Sequence, residues 1–230
     1  EMDYEREKYK KERAEFTKIF EDYLREHPEF REISEIARRN SWAMGRQETG
    51  KIWVIGGCVY RPIIKARYHE EKIPEPSQVD VDFLIQRGPA SEIVYAPKGW
   101  KVKRTQAGYF YLEKENINID LNYLFNFPSI VQQNPEPRMG HFFSATPLDI
   151  QAIAYKLAGP TKGVIGNPGI EAILNKRVKI NNLVSAEFEA QKRGISVDDF
   201  VRQKADELHF SYDLTRPTGD TIRSENNKKE

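Results

Sequence analysis

Three aspartates and a pair of glycines carry the chemistry this chain could do. Asp80 and Asp82 alternate with Val79, Val81 and Phe83, and a strand has period two, so both carboxylates lie on one face. Asp120 alternates in the same way with Ile119 and Leu121, on the polar face of a second strand that also carries Asn118 and Asn122. If the two strands are neighbours, three carboxylates converge. Such a cluster repels itself unless a divalent cation neutralises it. Carboxylate oxygens suit Mg²⁺ or Mn²⁺, and the chemistry to expect is metal-assisted phosphoryl or nucleotidyl transfer. Gly56-Gly57 ends a short apolar strand over 51–55 and precedes a helix. A double glycine there permits close backbone approach, and the helix start offers N–H groups and partial positive charge to phosphates. Arg61 and Lys65, one and two turns on, either meet those phosphates or form a solvated helix face.

Each signal has a bland reading. Strand-to-helix turns often need glycine for geometry alone, and acids on an edge strand are common. Yet Asp is disfavoured in strands, so two on one face of an apolar strand need a reason. Taken together, in this order and on one expected sheet, Asp80, Asp82 and Asp120 are the candidate catalytic and metal-binding residues. Gly56, Gly57, Arg61 and Lys65 are the candidate nucleotide-binding residues.

The elements that must hold these residues follow from periodicity. Phe16, Ile19, Phe20, Tyr23 and Leu24 form one helical stripe, which Pro28 interrupts, and Ile33, Ile36 and Ala37 mark a second helix to about Arg39. After strand 79–85, three runs at 101–105, 109–113 and 117–124 with short turns at 106–108 and 114–116 predict an antiparallel meander. Residues 126–146, with Pro128, Pro135 and Pro137, read as a long loop able to cover the site. Thr146-Pro147-Leu148-Asp149 predicts a helix start, with Ile150, Ile153, Ala154 and Leu157 as its apolar face and Gly159-Pro160 as its end. Further helices are expected from Asn167, over 180–194 with Val184 and Phe188 on the apolar face, and from Ser196 to about Phe210. The predicted fold class is α+β: a mixed or antiparallel sheet flanked by helices, with a helical C-terminal part. The expected division is an N-terminal helical segment (1–40), a catalytic domain (41–145), a helical part (146–215) and a disordered tail (216–230).

Composition narrows the classes. In 230 residues, 39% are hydrophobic, enough for a sizeable core, and 31% are charged. A net charge of +1 argues against a large nucleic-acid footprint, which takes many Lys and Arg. One cysteine, Cys58, allows no internal disulfide and fits a reducing compartment. No apolar run reaches the roughly 18 residues a membrane span needs, so the expectation is a cytoplasmic protein with no membrane partner.

Gly56-Gly57-Cys58-Val59-Tyr60-Arg61, followed by Asp80-Val81-Asp82-Phe83, resembles the nucleotidyltransferase superfamily of DNA polymerase β. The nearest branch is the head domain of tRNA CCA-adding enzymes and poly(A) polymerases. Asp120 matches the superfamily's third carboxylate, and residues 149–154 and 169–174 are similar to segments after its catalytic sheet. Here Tyr60 stands between Val59 and Arg61, and Pro62 stands where the family has Asp, so Arg61's role departs from the pattern. The resemblance implies transfer of a nucleoside monophosphate from an NTP to an acceptor hydroxyl, with Mg²⁺ or Mn²⁺ and release of pyrophosphate. The acceptor stays open between an RNA 3′ end, a small molecule and a protein. With no room for RNA-binding body and tail domains, a minimal nucleotidyltransferase is expected. A different class, a catalytically inactive module that binds a partner, is the alternative.

Overall fold

A computed structural model of the chain describes residues 8–41, 51–70, 73, 79–86, 94–105, 109–132, 134, 136–157 and 161–217. Its main sheet is built from β1 (Ile52–Ile55), β2 (Val79–Ile85), β3 (Lys101–Arg104), β4 (Phe110–Lys114), β5 (Ile117–Tyr123), β6 (Ala154–Lys156) and β7 (Gly163–Ile165). The seven strands lie in the order β3-β4-β5-β2-β1-β6-β7. The meander β3-β4-β5 is antiparallel, as expected, and it returns β5 alongside β2 in the parallel sense. β1 pairs antiparallel with both β2 and β6.

Alternation sorts the central strands between two unequal cores. Ile52, Val54, Val81, Phe83, Ile85, Ile119 and Leu121 face the larger core. Helices α1 (Lys10–Glu26), α2 (Glu29–Asn40) and α3 (Gly57–Tyr68) supply its other side through Phe16, Phe20, Ile33, Ile36, Ile63 and Ile64. Trp53, Ile55, Leu84 and Ala154 point the other way, into a small cluster with Leu124 and Ile130. Here α4 (Pro128–Val131) and α5 (Met139–Ala145) structure the segment expected as a long loop. Phe142 and Phe143 pack on the sheet's second face, so apolar burial orders what the prolines alone would leave irregular. On that second face the apolar residues give way to Asp80 and Asp82.

Beyond the sheet come α6 (Asn167–Asn175), α7 (Leu183–Arg193) and α8 (Val197–Leu208), with a parallel pair β8 (Arg177–Lys179) and β9 (Ser211–Asp213). The architecture is α+β, a mixed sheet flanked by helices. Among the described residues no helix is long and apolar enough to cross a membrane.

Two expectations need correction. The helix predicted from Thr146 does not form. Thr146 instead ends α5, its hydroxyl donating to the Phe143 carbonyl at 2.9 Å. A 3₁₀ turn at Asp149–Gln151 follows, and then β6. Ala154 and Tyr155 are buried on opposite faces of the sheet, and a short run apolar on both sides reads the same for a strand and a helix. Pairing with β1 decides it, so the sheet draws on residues beyond 145. Second, Val184 and Phe188 face solvent, 53% and 65% exposed, while Ala186 and Ala190 make the buried side of α7. The expected turn at 106–108, the end at Gly159-Pro160 and all but the first two residues of the tail expected at 216–230 lie outside the described residues.

The turn into α6 shows how closely β6 is packed. Gly166 has φ +109°, and a Cβ there would lie 2.2 Å from the Ala152 carbonyl oxygen and 2.8 Å from Ile153 Cα. Both obstacles are backbone, which cannot swing aside. Gly166→Ala is therefore expected to cost roughly 2–4 kcal/mol in urea unfolding. A cost below about 0.5 kcal/mol would show that β6 and the start of α6 are not packed in this way.

Candidate functional site

The register of β2 against β5 builds the site. Asp80 is paired with Asn118 and Asp82 with Asp120 across the parallel ladder. Antiparallel β1 ends beside them, with Ile55 opposite Asp82. The chain then leaves β1 through Gly56, whose φ of +71° is left-handed territory that side chains rarely adopt. A Cβ on Gly56 would lie 3.6 Å from Asp82 Oδ2, so the glycine turn passes directly over this carboxylate. No side chain caps the start of α3, and its N-terminus opens next to the acidic cluster.

The parallel register sets the Asp82 carboxyl beside that of Asp120. Two ionised carboxylates side by side repel, which favours a proton on one of them. Burial, the Asp120 charge and hydrogen bond, and then Asp80 push Asp82 up to about 7. Burial also raises Asp120, against the hydrogen bond from Asp82. Asp80 is more exposed and sits to one side, where Asn118 Nδ2 donates to its Oδ1 at 3.1 Å. The structure thus joins Asp82 to Asp120 and sets Asp80 beside them. Among the described residues no three carboxylate, histidine or cysteine side chains are gathered closely enough to hold a metal ion as they stand.

The basic candidates part company. Arg61 stays at the turn: a Cβ on Gly57 would lie 3.4 Å from its Cζ and Nη1. Its Nη2 donates to Glu207 of α8, a carboxylate that also accepts from Lys204. Its Nε is buried without a hydrogen-bond partner. Lys65 lies eight residues beyond Gly57, about 12 Å along the axis at 1.5 Å per residue. It falls in the last turn of α3, where a cation also complements the helix dipole. Cys58 packs against the core, and burial beside Asp82 raises its thiol well above the usual range, which makes it a poor nucleophile.

Three further residues bear on the site. Asn118 holds Asp80, and its place two residues before Asp120 on the same strand face could have flagged it. Glu207 and Lys204 had no such signal, because only tertiary packing brings α8 to α3. Asp149 is a buried carboxylate away from the site. Its Oδ1 accepts the backbone N–H of Ile150 at 2.8 Å and of Lys179 at 3.0 Å, and burial raises it to about 6.

No protein-family model matches this chain, and no curated protein matches it. Solved structures similar to it include a tRNA-processing enzyme in an apo form, at 15% identity and TM-score 0.49, covering 79% of this chain and 44% of that one. A tRNA nucleotidyltransferase complexed with a primer tRNA and an incoming ATP analog gives 14% identity and TM-score 0.48, over 79% and 46% of the two chains. A Thermotoga maritima CCA-adding enzyme complexed with tRNA gives 13% and 0.48, over 80% and 40%. The chain therefore spans less than half the length of each of these structures.

The Asp82–Asp120 pair has a consequence for stability. The folded pKa of Asp82, about 7, lies above its ordinary 3.8, so between these values the folded chain holds a proton that the unfolded chain has lost. Stability should fall as pH rises from about 4 to about 7 and then level off. With EDTA present, Asp82→Asn is expected to unfold later in urea than the parent at pH 8, by on the order of 2 kcal/mol, and to match it near pH 4. Identical pH profiles for parent and variant would show that the two carboxyls do not share a proton.

Proposed function

We propose that this chain is a nucleotidyltransferase, moving a nucleoside monophosphate from an NTP to an acceptor hydroxyl. The observation that carries the reading is the paired Asp82–Asp120 carboxyls, with Asp80 alongside, directly under a glycine turn that opens an uncapped helix. Nothing in the packing requires three acids on one face of adjacent strands. Two half-buried carboxyls set side by side are also what a divalent cation would stabilise. The donor set is all hard oxygen, which fits Mg²⁺ or Mn²⁺, and Asp80, Asp82 and Asp120 are the residues that would hold it. When bound, such an ion supplies charge neutralisation at the transferring phosphate.

The chain's own groups do the rest. Backbone N–H groups at Gly57 and Cys58 face the phosphates at the start of α3. Arg61, at the same turn, exchanges its Glu207 partner for phosphate oxygen, and its buried Nε gains the acceptor it lacks. The acceptor oxygen attacks the α-phosphorus, an oxygen–phosphorus bond forms, and the bond to the bridging oxygen of the β-phosphate breaks. Pyrophosphate leaves, and the Asp120 carboxylate takes the proton from the attacking hydroxyl. The acceptor is an RNA 3′ end, a small molecule or a protein side chain. The single cysteine and the absence of an apolar span in the sequence fit work in the cytoplasm.

Calorimetry with each NTP, with and without Mg²⁺, tests this directly. Metal-dependent binding is expected for the parent and not for the Asp80→Ala/Asp82→Ala chain. Pyrophosphate release with a competent acceptor should fall at least ~10³-fold in Asp120→Asn. If no NTP binds the parent under any metal condition, the enzyme reading fails and an inactive, partner-binding fold takes its place.

A further inference from the structure

The face of α3 that does not enter the core forms one wall of a cleft. Val59, Tyr60, Ile63 and Ile64 are buried, whereas Cys58, Arg61, Pro62, Lys65 and Ala66 form a second stripe at helical spacing. They line a cleft of about 430 Å³ that begins at Gly57 and Asp80. Its other wall is α1, through Ile19, Tyr23 and Glu26 at spacings of four and three, with Asp22 and His27 beside them. The ion pair between Arg67 and Glu15 ties the end of α3 to the first half of α1. Glu26 and His27 line the same cleft as Gly57 and Asp80.

We infer that this cleft is the nucleoside pocket: the triphosphate sits at the glycine turn, Glu26 accepts the ribose hydroxyls, and the base lies between α1 and α3. The inference rests on the nucleotidyl-transfer reading and adds to it a wall from the N-terminal helix. The volume falls in the range of small-molecule sites, and the cleft is continuous with the turn that would hold the phosphates. Its middle is apolar where a base needs two flat contacts, between Tyr23 and Ile19 on one helix and Pro62 and Ala66 on the other. Tyr23 is held there by His27, with ring centroids 4.1 Å apart.

Glu26 is the polar group without a structural reason. It ends α1, where a negative charge opposes the helix dipole. Among the described residues it has no ion pair or hydrogen bond, whereas neighbouring Asp22 is taken by Lys18 and Arg25. A carboxylate beside a phosphate site is well suited to accept sugar hydroxyls.

The test is calorimetry in Mg²⁺ with ATP, 2′-deoxy-ATP and inorganic tripolyphosphate, on the parent, Ala66→Phe and Glu26→Gln. Both substituted residues are exposed, so neither change disturbs the core. The parent should bind ATP more tightly than tripolyphosphate. Ala66→Phe, which fills the cleft, should weaken ATP at least about tenfold and leave tripolyphosphate unchanged. Glu26→Gln should narrow the gap between ATP and 2′-deoxy-ATP. Equal ATP affinity for the parent and Ala66→Phe would overturn the pocket while leaving nucleotide binding at the turn intact. Failure of the parent to bind tripolyphosphate and ATP alike would overturn both readings.

Discussion

Two carboxyl groups held against each other are the constraint around which this structure is arranged. The parallel pairing of β2 with β5 puts Asp82 opposite Asp120, and β1 closes the other flank with Ile55. Low dielectric raises the cost of charge there, so the pair keeps a proton or accepts a cation. Everything near it serves that placement. The meander exists to return β5 beside β2, and the glycine turn lets the backbone pass over Asp82 where a side chain would be strained.

The two faces of the sheet divide the labour. One face is filled by α1, α2 and α3 and supplies most of the buried apolar area, which is the dominant favourable term in folding. The other face has a small apolar cluster under α4 and α5 and then the acids. A site of like charges is destabilising in itself, and a large core on the opposite face offsets that cost. Rigid strands, rather than loops, hold the carboxylates, which keeps them in register with the start of α3.

The C-terminal helices make direct contact with the glycine turn. Glu207 and Lys204 of α8 reach Arg61 at the glycine turn. In the proposed reading a phosphate would compete with Glu207 for the guanidinium, and ligand binding would share one group with the seating of α8 on α3. The N-terminal helix approaches α3 from its other flank, through Arg67 and Glu15 at one end and the cleft along its length.

The sequence by itself determined most of the local elements and which strands carry the acids. Period-two alternation placed strand 79–85 to the residue and the meander to within a residue or two, and it put Asp80 and Asp82 on one face and Asp120 on another strand, because side-chain direction in a strand is fixed by the backbone. It misjudged the segment after Thr146, since a short apolar run buried on both sides has no period that tells strand from helix. It also placed Val184 and Phe188 inside, since spacing shows that two residues share a helix face but not which face meets the core. Only the tertiary structure decided that Asp82 meets Asp120 while Asp80 turns to Asn118, that Arg61 is held by Glu207, and that α1 borders the glycine turn. Those contacts join residues up to 146 positions apart, and no local preference of the chain encodes them.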